Sequence, residues 1–473
     1  MKKKTSSPAK YFLLAVPMLL GITGYFAIDG RPFLQSVYIS TKLYGFGAEE
    51  LPPNTIIELA RWIGPVATAS GFVMLVRYLR RSFLNMFAYL KGNSTAVYGP
   101  EEAKEPILEQ LGGKGIDGRD KFIKAHRYIL LDREEENLTF FDKYRDEIGD
   151  NDVYAACNSL SAQSVAYHNL HLFCPEETAA SVFWKEHCIY PLSKAKGHHL
   201  DIVFIGFEKL GKEVLLSALQ SNIFSPQQCI NYHIFGKDEG FCNIYHQLDN
   251  IDDKVFFHSE EWHTRLEFIN SADMVIVLQQ NSQPQLMRQL TLACSCEKIH
   301  FFTAADYSTN LLENSSRLVP FNWKKVASTI DNILEISLFS DAKKLNLRYA
   351  HLYNGVEETP ENAEKEWQKL NTFTRYSNIS AIDYNDIQKL MLKEENQGTV
   401  YNEISPEWRE KLAELEHIRW CRYHYINNWK YGKPEQGLKD KEKRIHADLL
   451  PYYTLEKSEQ DKDRENVRIL FAP

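Results

Sequence analysis

The stretch 201–219 combines the two hydrophobic patterns that organise this chain. The apolar run Ile202–Ile205 has the β-branched and aromatic character of a strand covered on both faces. After Gly206 the apolar positions recur at helical spacing, which predicts an amphipathic helix with one stripe against a sheet. A strand, a glycine turn and a helix in this order predict the opening of a doubly wound nucleotide-binding fold, whose helix N-terminus can hold phosphate.

A similar alternation of apolar strands and amphipathic helices begins near residue 95 and ends near residue 340. Two related halves are the simplest account of this repetition. We therefore expect a membrane-anchored α/β protein with two Rossmann-like doubly wound domains and an all-α domain at its C-terminus. The expected boundaries are 1–91 for a two-helix transmembrane region, 92–198 and 199–340 for the two α/β domains, 341–400 for a helical connector and 401–473 for the C-terminal domain.

Two uncharged segments near the N-terminus predict membrane spans. Tyr11–Ile28 carries no charge and follows four lysines, and Trp62–Val76 is also uncharged. A cleaved signal peptide is the alternative for the first segment, but no small-residue cleavage site follows it. Both segments are therefore expected to be retained as spans.

The charge distribution predicts the orientation of these spans. Residues 1–91 hold 11 Lys and Arg against 4 Asp and Glu, whereas the whole chain has a net charge of -8. Basic residues precede the first span and follow the second, so the positive-inside rule places both termini in the cytoplasm, at the inner membrane. The acidic remainder argues against nucleic acid as a partner.

The loop between the spans contains Gly45-Phe46-Gly47. This sequence is similar to a potassium-channel selectivity filter, in which four chains supply rings of backbone carbonyls. Leu43 stands where the filter threonine would be, and Lys42 would place four positive charges beside the pore. A short glycine-rich turn is the alternative interpretation.

The repeated α/β region, residues 94–340, resembles the TrkA-N or RCK domains attached to bacterial potassium transporters and channels. The resemblance is carried by Ile205-Gly206-Phe207-Glu208-Lys209-Leu210-Gly211, where Glu208 replaces the middle glycine of the dinucleotide fingerprint. It implies nucleotide binding through Gly206, Gly211 and Asp238, with Asp132 as a weaker counterpart in the first half. The substitution at Glu208 argues against NAD.

The C-terminal region carries an imidazole–indole–imidazole stripe. Helical spacing from Ser405 to about Asn428 places His417, Trp420 and His424 on one face. This region resembles the RyR domain, the helical repeat of ryanodine receptors. The matching blocks are Glu416-His417-x-Arg419-Trp420, Trp429-x-Tyr431-Gly432, His446-x-Asp448-Leu449-x-Pro451-Tyr452, and Lys462-Asp463-Arg464 with Val467-Arg468.

Aromatic faces stack on bases and arginines pair with phosphates, so this residue set predicts a site for a nucleotide or an ADP-ribose-type ligand. The alternative is that these side chains form the core of a small domain. The expected ligand-binding residues are His417, Arg419, Trp420, Trp429, Tyr431, His446, Tyr452, Arg464 and Arg468.

Neither a catalytic set nor a metal site is expected. No combination of nucleophile, base and orienting group is visible, so the sequence indicates a protein that is not an enzyme. Cys294, Cys296 and His300 supply only three candidate metal ligands, and the interpretation preferred for them is packing.

The sequence favours a homo-oligomeric membrane protein whose cytoplasmic domains bind a nucleotide-derived molecule and gate a two-span channel or a membrane-disrupting pore. Three alternatives stay open: a potassium channel or transport regulator under RCK-type control, a non-conducting, membrane-anchored interaction scaffold, and an NAD-dependent enzyme, against which the loss of the middle glycine at Glu208 counts.

Overall fold

The computed structural model describes residues 8–45, 47, 54–119, 121–158, 167, 169–281, 283–306, 315–334 and 336–472. The chain forms two compact units, Met1–Ser94 and Thr95–Pro473, which we call the N-terminal unit and the C-terminal unit.

The N-terminal unit consists of two long helices and a short one between them in the chain. Its helices are α1 (Pro8–Ile22), α2 (Phe33–Lys42) and α3 (Thr55–Leu90), and α1 continues as a π-helical segment over Thr23–Ile28. With ten residues, α2 is about 15 Å long, half the thickness of a bilayer core. Asn54 caps α3, because its side chain accepts a hydrogen bond from the Ile57 amide at 3.0 Å.

Glycines let the elements of this unit approach each other closely. A Cβ at Gly64 of α3 would lie 2.3 Å from the Leu43 carbonyl oxygen, and one at Gly21 of α1 would lie 2.6 Å from Ser40 Oγ. The segment after α2 is also held by Tyr44, whose hydroxyl donates to the Leu14 carbonyl at 2.5 Å. The short helix and its following turn are therefore packed against both long helices.

In the described part of the chain, one helical stretch, Thr55–Val76, is long and apolar enough to cross a membrane. It contains the second of the two predicted spans. In the region of the first predicted span, the structure has a shorter apolar helix, Leu14–Ile28. The two-span anchor is therefore not confirmed and stays a prediction. Of the proposed filter, Phe46 lies outside the described residues.

The C-terminal unit begins with a five-stranded parallel sheet. Its elements are β1 (Thr95–Tyr98), α4 (Glu101–Leu111), β2 (Gly115–Asp117), β3 (Arg127–Leu130), α5 (Glu134–Ile148), β4 (Asp152–Ala156), β5 (Leu170–Phe173), α6 (Pro175–Glu186) and α7 (Tyr190–Ala195). The strand order is β2-β1-β3-β4-β5, a doubly wound arrangement with its switch point between β1 and β3.

A second parallel sheet of six strands follows. Its elements are β6 (His199–Ile205), α8 (Lys209–Ser221), β7 (Cys229–Phe235), α9 (Phe241–Ile244), β8 (Lys254–His258), α10 (Leu266–Ser271), β9 (Met274–Val277), α11 (Gln283–Ala293), β10 (Ile299–Thr303), β11 (Leu318–Asn322), α12 (Trp323–Ala327) and α13 (Ile330–Leu334). The order β11-β10-β9-β6-β7-β8 is that of a complete dinucleotide-binding fold. The prediction of two Rossmann-like parallel sheets is confirmed.

Helices exchanged between the sheets join the two domains. Helix α6 follows the first sheet but buries Phe183 and Trp184 in the core of the second. Helix α13 follows the second sheet but packs Ile333 and Leu334 against the first. Each sheet is therefore covered in part by a helix that follows the other sheet in the sequence.

The chain ends in a helical region. Its elements are α14 (Ile336–Asn354), α15 (Pro360–Lys369), α16 (Thr372–Glu394), α17 (Pro406–Ile426), the short strands β12 (Lys430–Tyr431), β13 (Lys439–Asp440) and β14 (Ile445–His446), and α18 (Lys457–Leu470). Tyr384 and Ile387 from α16, and Leu415 and Ile426 from α17, lie in the same hydrophobic core as the second sheet. The helical region is thus joined to that sheet by a continuous core.

A candidate ligand site between the second sheet and the C-terminal helices

Helix α17 carries three of the nine predicted ligand-binding residues, His417, Arg419 and Trp420, and its N-terminus is fixed by a cap. The Ser405 side chain accepts a hydrogen bond from the Trp408 amide at 3.3 Å, and Pro406 occupies the first helical position. Capping starts the helix at the residue that the sequence predicts. The imidazole–indole–imidazole stripe therefore forms on one face of α17, as expected.

His417 is a buried member of this stripe. Its Nε2 lies 2.8 Å from the Leu450 carbonyl oxygen and its Nδ1 lies 3.1 Å from Asp463 Oδ2. Burial opposes a charge on the ring, but the Cys421 sulfur and the Asp463 carboxylate raise the pKa of His417 to about 11. Burial also raises the pKa of Asp463. Because both ring nitrogens face acceptors, the charged pair is the state that satisfies the site.

His424 on the stripe and His446 on β14 are both held neutral. Burial lowers the pKa of His424 to about 3 and that of His446 to about 4. The Asp448 amide donates to His446 Nδ1 at 3.2 Å, so the proton of that ring is on Nε2. The Trp420 ring lies 4.0 Å from His424 and 4.8 Å from His446 between centroids. The first pair of rings is tilted and the second is edge-to-face, so these rings pack against one another.

The two predicted arginines Arg419 and Arg464 are paired with carboxylates. Arg419 is 2% exposed and forks onto Glu416 at 2.9 and 2.8 Å. Arg464 forks onto Glu410 at 2.8 and 2.7 Å, and Tyr452 donates its hydroxyl to the same carboxylate at 3.2 Å. Such bidentate pairs occupy the guanidinium edge that would bind phosphate.

The structure separates the predicted residues into buried and accessible groups. His417, Arg419 and Tyr452 are buried, and Tyr431 is 45% exposed on the short sheet. Of the nine predicted ligand-binding residues, all of which the structure describes, Trp429 and Arg468 line the large cavity described below. The binding role of the whole set stays a prediction.

A buried ion pair docks α17 onto the second sheet domain. Arg422 Nη1 lies 2.6 Å from Asp253 Oδ2 and 3.1 Å from the Leu219 carbonyl, and both charged side chains are almost fully buried. Asp253 also accepts from the Ile230 amide at 2.9 Å. Movement of α17 would therefore pull directly on a strand of the second sheet.

A cavity of about 1580 Å³ lies along this junction. One wall is formed by α6 and α8, and the opposite wall by α14, α16 and the C-terminal region. Phe373 and Trp429 stack in its lining with centroids 5.2 Å apart. The Phe373 carbonyl accepts from the Tyr423 hydroxyl at 2.8 Å, which fixes a third aromatic ring beside the pair.

Four cations of the C-terminal region line the cavity: Lys439, Lys441, Arg444 and Arg468. In the described part of the chain, neither Lys439 nor Lys441 forms an ion pair, whereas the cavity-lining Lys185 is 2.6 Å from Asp383. Burial, together with the neighbouring Lys441 and Lys462, lowers the pKa of Lys439. An anion bound here would relieve this repulsion.

Sequence reasoning missed the residues that make this cavity. Phe373, Tyr423 and Lys439 were not singled out, because each lies on a different element and the space between them exists only after packing. The one available signal was the second face of α8, where Glu213, Leu216, Ser217 and Gln220 recur at helical spacing and line the cavity.

The predicted nucleotide crevice of the second sheet is a separate place. Gly206 has a φ of +94°, and a Cβ there would lie 2.6 Å from the Gln279 amide nitrogen. Gly211 brings α8 close to Phe207, since a Cβ at this position would lie 3.2 Å from that ring. Both glycines therefore serve close packing at the switch point. The Asp238 carboxylate accepts a hydrogen bond from the Cys242 amide, in the first turn of α9, at 3.1 Å.

In a dinucleotide-binding fold, an acidic residue at the end of the second strand can bind a ribose hydroxyl. In the first sheet this residue is Asp117. The short strand β2 was not predicted, so Asp132 lies one strand later than expected, after β3. Asp117 is bound by the buried Lys104, whose Nζ is 2.7 Å away. This pair fills the place where a ribose hydroxyl would be bound.

Among the described residues, no group of three or more His, Cys, Asp or Glu side chains could hold a metal ion. Cys294 and Cys296 are buried, and the His300 ring packs against His187 and Phe183 instead.

Comparison with known proteins identifies one region of the chain. Residues 398–471 match the RyR domain family, in agreement with the sequence motifs. No curated protein matches the chain. For residues 94–340 the findings support Rossmann-like parallel sheets, and the narrower resemblance to TrkA-N or RCK domains stays a prediction.

Among solved structures, the chain is similar to the L-tryptophan dehydrogenase from Nostoc punctiforme, with 11% identity, a TM-score of 0.24 and coverage of 71% of this chain and 88% of that chain. This neighbour is an enzyme, and it contradicts the expectation that the chain is not one. That expectation is withdrawn. A likeness at this TM-score carries no argument about a substrate or a reaction.

Proposed function

We propose that this chain is a ligand-responsive membrane protein in which an anionic, nucleotide-like molecule binds in the cavity between the second sheet and the C-terminal helices. The observation that carries the proposal is the combination, in one cavity of about 1580 Å³, of a stacked aromatic pair and lysines that form no ion pair among the described residues. Aromatic rings accept a base, and lysines and arginines accept phosphate.

The size of the cavity and the residues at its C-terminal side are compatible with this ligand class. Its volume exceeds that of a drug-sized site, so it has room for a dinucleotide or an ADP-ribose derivative. Trp429 and Arg468 are the two residues shared with the predicted RyR set. The cavity is formed by both the RyR region and the second sheet domain, so a ligand there contacts both.

A signal from the cavity has a physical route through the C-terminal unit. Helices α16 and α17 share a core with the second sheet, and Arg422 ties α17 to Asp253. A ligand that binds one arrangement of these helices better than another shifts the balance between the arrangements. We propose that this shift acts on the N-terminal unit, whose helix α3 leads into β1 through residues 91–94.

The N-terminal unit supports a pore as the responding element. Helix α2 is half as long as a bilayer is thick; it packs against α1 at Gly21, and the turn that follows it packs against α3 at Gly64. Non-helical backbone at membrane depth is tolerated where it is buried in protein or lines a water-filled path. An oligomer with a cytoplasmic C-terminal unit is the arrangement we propose. A potassium-selective filter at Gly45 and a non-conducting scaffold are the competing functions.

Calorimetric titration of the full chain in detergent tests the binding part of the proposal. The panel contains mononucleotides, dinucleotides, cyclic nucleotides and ADP-ribose derivatives. We expect at least one anionic member to bind, and the double substitution Lys439→Ala and Lys441→Ala to weaken it at least tenfold, about 1.4 kcal/mol or more.

The matched control is Lys443→Ala. Lys443 lies in the same loop but pairs with Asp440 at 3.6 Å and does not line the cavity. Its substitution is expected to leave affinity unchanged. The proposal fails if no panel member binds, or if the control weakens binding as much as the double variant does.

A further inference from the structure

One carboxylate oxygen in the cavity lies near an ammonium group but has no hydrogen-bond donor among the described residues. Glu213 on α8 is 4% exposed and lines the cavity, and its Oε1 has no hydrogen-bond partner among the described residues. The Lys212 ammonium lies 3.7 Å from that oxygen, beyond hydrogen-bond distance. A buried acceptor without a donor is costly, and such a group is usually satisfied by a ligand or water.

A second acceptor in the same lining is also unsatisfied. Asn428 follows α17 with a φ of +61°, and its Nδ2 donates to the Ile244 carbonyl at 2.7 Å. That bond fixes the orientation of the amide, because a carbonyl can only accept. Asn428 Oδ1 is therefore the free end of the amide, and it is buried without a partner among the described residues.

Both acceptors line the cavity, and a chain of contacts links them. Asn428 donates a hydrogen bond to the carbonyl of Ile244, the last residue of α9. The next residue is Tyr245, and the Lys212 ammonium lies over its ring, 5.5 Å from the centroid. Lys212 directly precedes Glu213 in the chain. Ile244, Tyr245 and the Phe373–Trp429 pair all line this cavity. Acceptors beside aromatic faces match a flat ring that carries N–H groups on its edge.

We infer that Glu213 and Asn428 bind the amino edge of a nucleobase, so that the ligand carries an amino-bearing base such as adenine, cytosine or guanine rather than uracil or thymine. This inference rests on the proposed function, since it specifies the base of the nucleotide-like ligand. An exocyclic amine donates to the carboxylate, whereas a carbonyl at the same position would face it and repel it. Sites that bind a polar group in this way reject analogues that lack it.

The test compares CTP with UTP, which differ at the base in an amine versus a carbonyl. Both are titrated at pH 7.5 into the full chain in detergent. We expect CTP to bind at least tenfold more tightly than UTP. Glu213→Met removes both acceptor oxygens, and we expect it to bring the two affinities within a factor of two. Glu213→Gln keeps one acceptor and is expected to keep part of the preference.

Glu176→Gln is the control variant. Glu176 binds Lys209 at 2.7 Å beside α8 and does not line the cavity, so the preference should be intact. Equal affinities for CTP and UTP in the native chain, or a full preference in Glu213→Met, would overturn the inference while nucleotide binding itself stood. Failure of the whole nucleotide panel to bind would overturn the inference and the proposed function together.

Discussion

At the scale of single residues, the buried charges among the described residues are mostly held in short, hydrogen-bonded ion pairs, and Glu213 departs from this pattern. Arg419 with Glu416 and Arg422 with Asp253 are buried ion pairs with short contacts. Glu213 is instead held close to lysines that do not bond its Oε1. Buried ion pairs contribute little net stability but are costly to break, whereas an unsatisfied carboxylate is costly as it stands.

Glu213 makes stability depend on pH. Burial raises the pKa of its carboxyl from 4.5 to about 6, with Lys212 and Lys209 opposing the shift and Glu176 adding to it; Cys174 faces the same group. The folded state therefore binds the proton more tightly than the unfolded state does. Stability is lost as pH rises from about 4.5 to 6, by about 2 kcal/mol in total.

Glu213→Gln removes this penalty. We expect the variant to be more stable than the native chain at pH 7.5, by up to about 2 kcal/mol, and the difference to shrink as pH falls from 6 to 4.5. Denaturant unfolding of both ligand-free proteins at several pH values measures this difference in stability. A difference between the two proteins that stays constant over this range would contradict the assignment.

Single residues also show which features of the candidate site can be predicted from the sequence. The stripe of His417, Trp420 and His424 follows from helical spacing alone, and so does the cap at Ser405. The pairing of Arg419 with Glu416 was open to the same reasoning, because three residues separate them on one helical face. The role of Lys439 could not be predicted in this way. That it forms no ion pair among the described residues depends on elements distant in sequence.

At the scale of elements, regular strands were easier to predict than short ones. The run before Gly206 forms β6 as expected, because its buried residues are apolar without interruption. The three-residue strand β2 carries too few residues for a periodic pattern, and its absence from the prediction shifted the acidic position from Asp117 to Asp132. Helices α6 and α13 each pack on the sheet they do not adjoin in sequence, which no local pattern reveals.

Contacts in the N-terminal unit give a test at this scale. Gly64→Ala places a Cβ 2.3 Å from the Leu43 carbonyl oxygen, so α3 must move away from the turn after α2. We expect a loss of about 1–3 kcal/mol, seen as a lower melting temperature of the full chain in detergent.

Gly45→Ala is the matched substitution, because nothing lies within 4 Å of a Cβ at that position among the described residues. It should leave the melting temperature unchanged, and it is therefore a clean probe of the filter hypothesis in flux measurements. Equal melting temperatures for Gly64→Ala and the native chain would show that α3 does not pack against this turn.

At the scale of the whole molecule, the C-terminal unit joins two parallel sheets and a RyR region through shared cores. The fold class was largely accessible from sequence, because strand and helix periodicities survive in each domain. The cavity was not, because it arises where α6 and α8 meet α16 and the RyR region. The crevice predicted at Gly206 of the second sheet is a second candidate place for the same class of ligand.

Photolabelling of the full chain is the most direct way to distinguish the cavity from the crevice at Gly206 as the ligand site. An azido-adenine nucleotide is crosslinked to the protein in detergent, and the labelled peptides are identified by mass spectrometry with unlabelled ATP as competitor. We expect label on the segments that contain Phe373 and Tyr423–Trp429, and its loss in the Lys439→Ala, Lys441→Ala variant. Competable label confined to residues 206–211 and Asp238, or no competable label at all, would contradict a ligand site in the cavity.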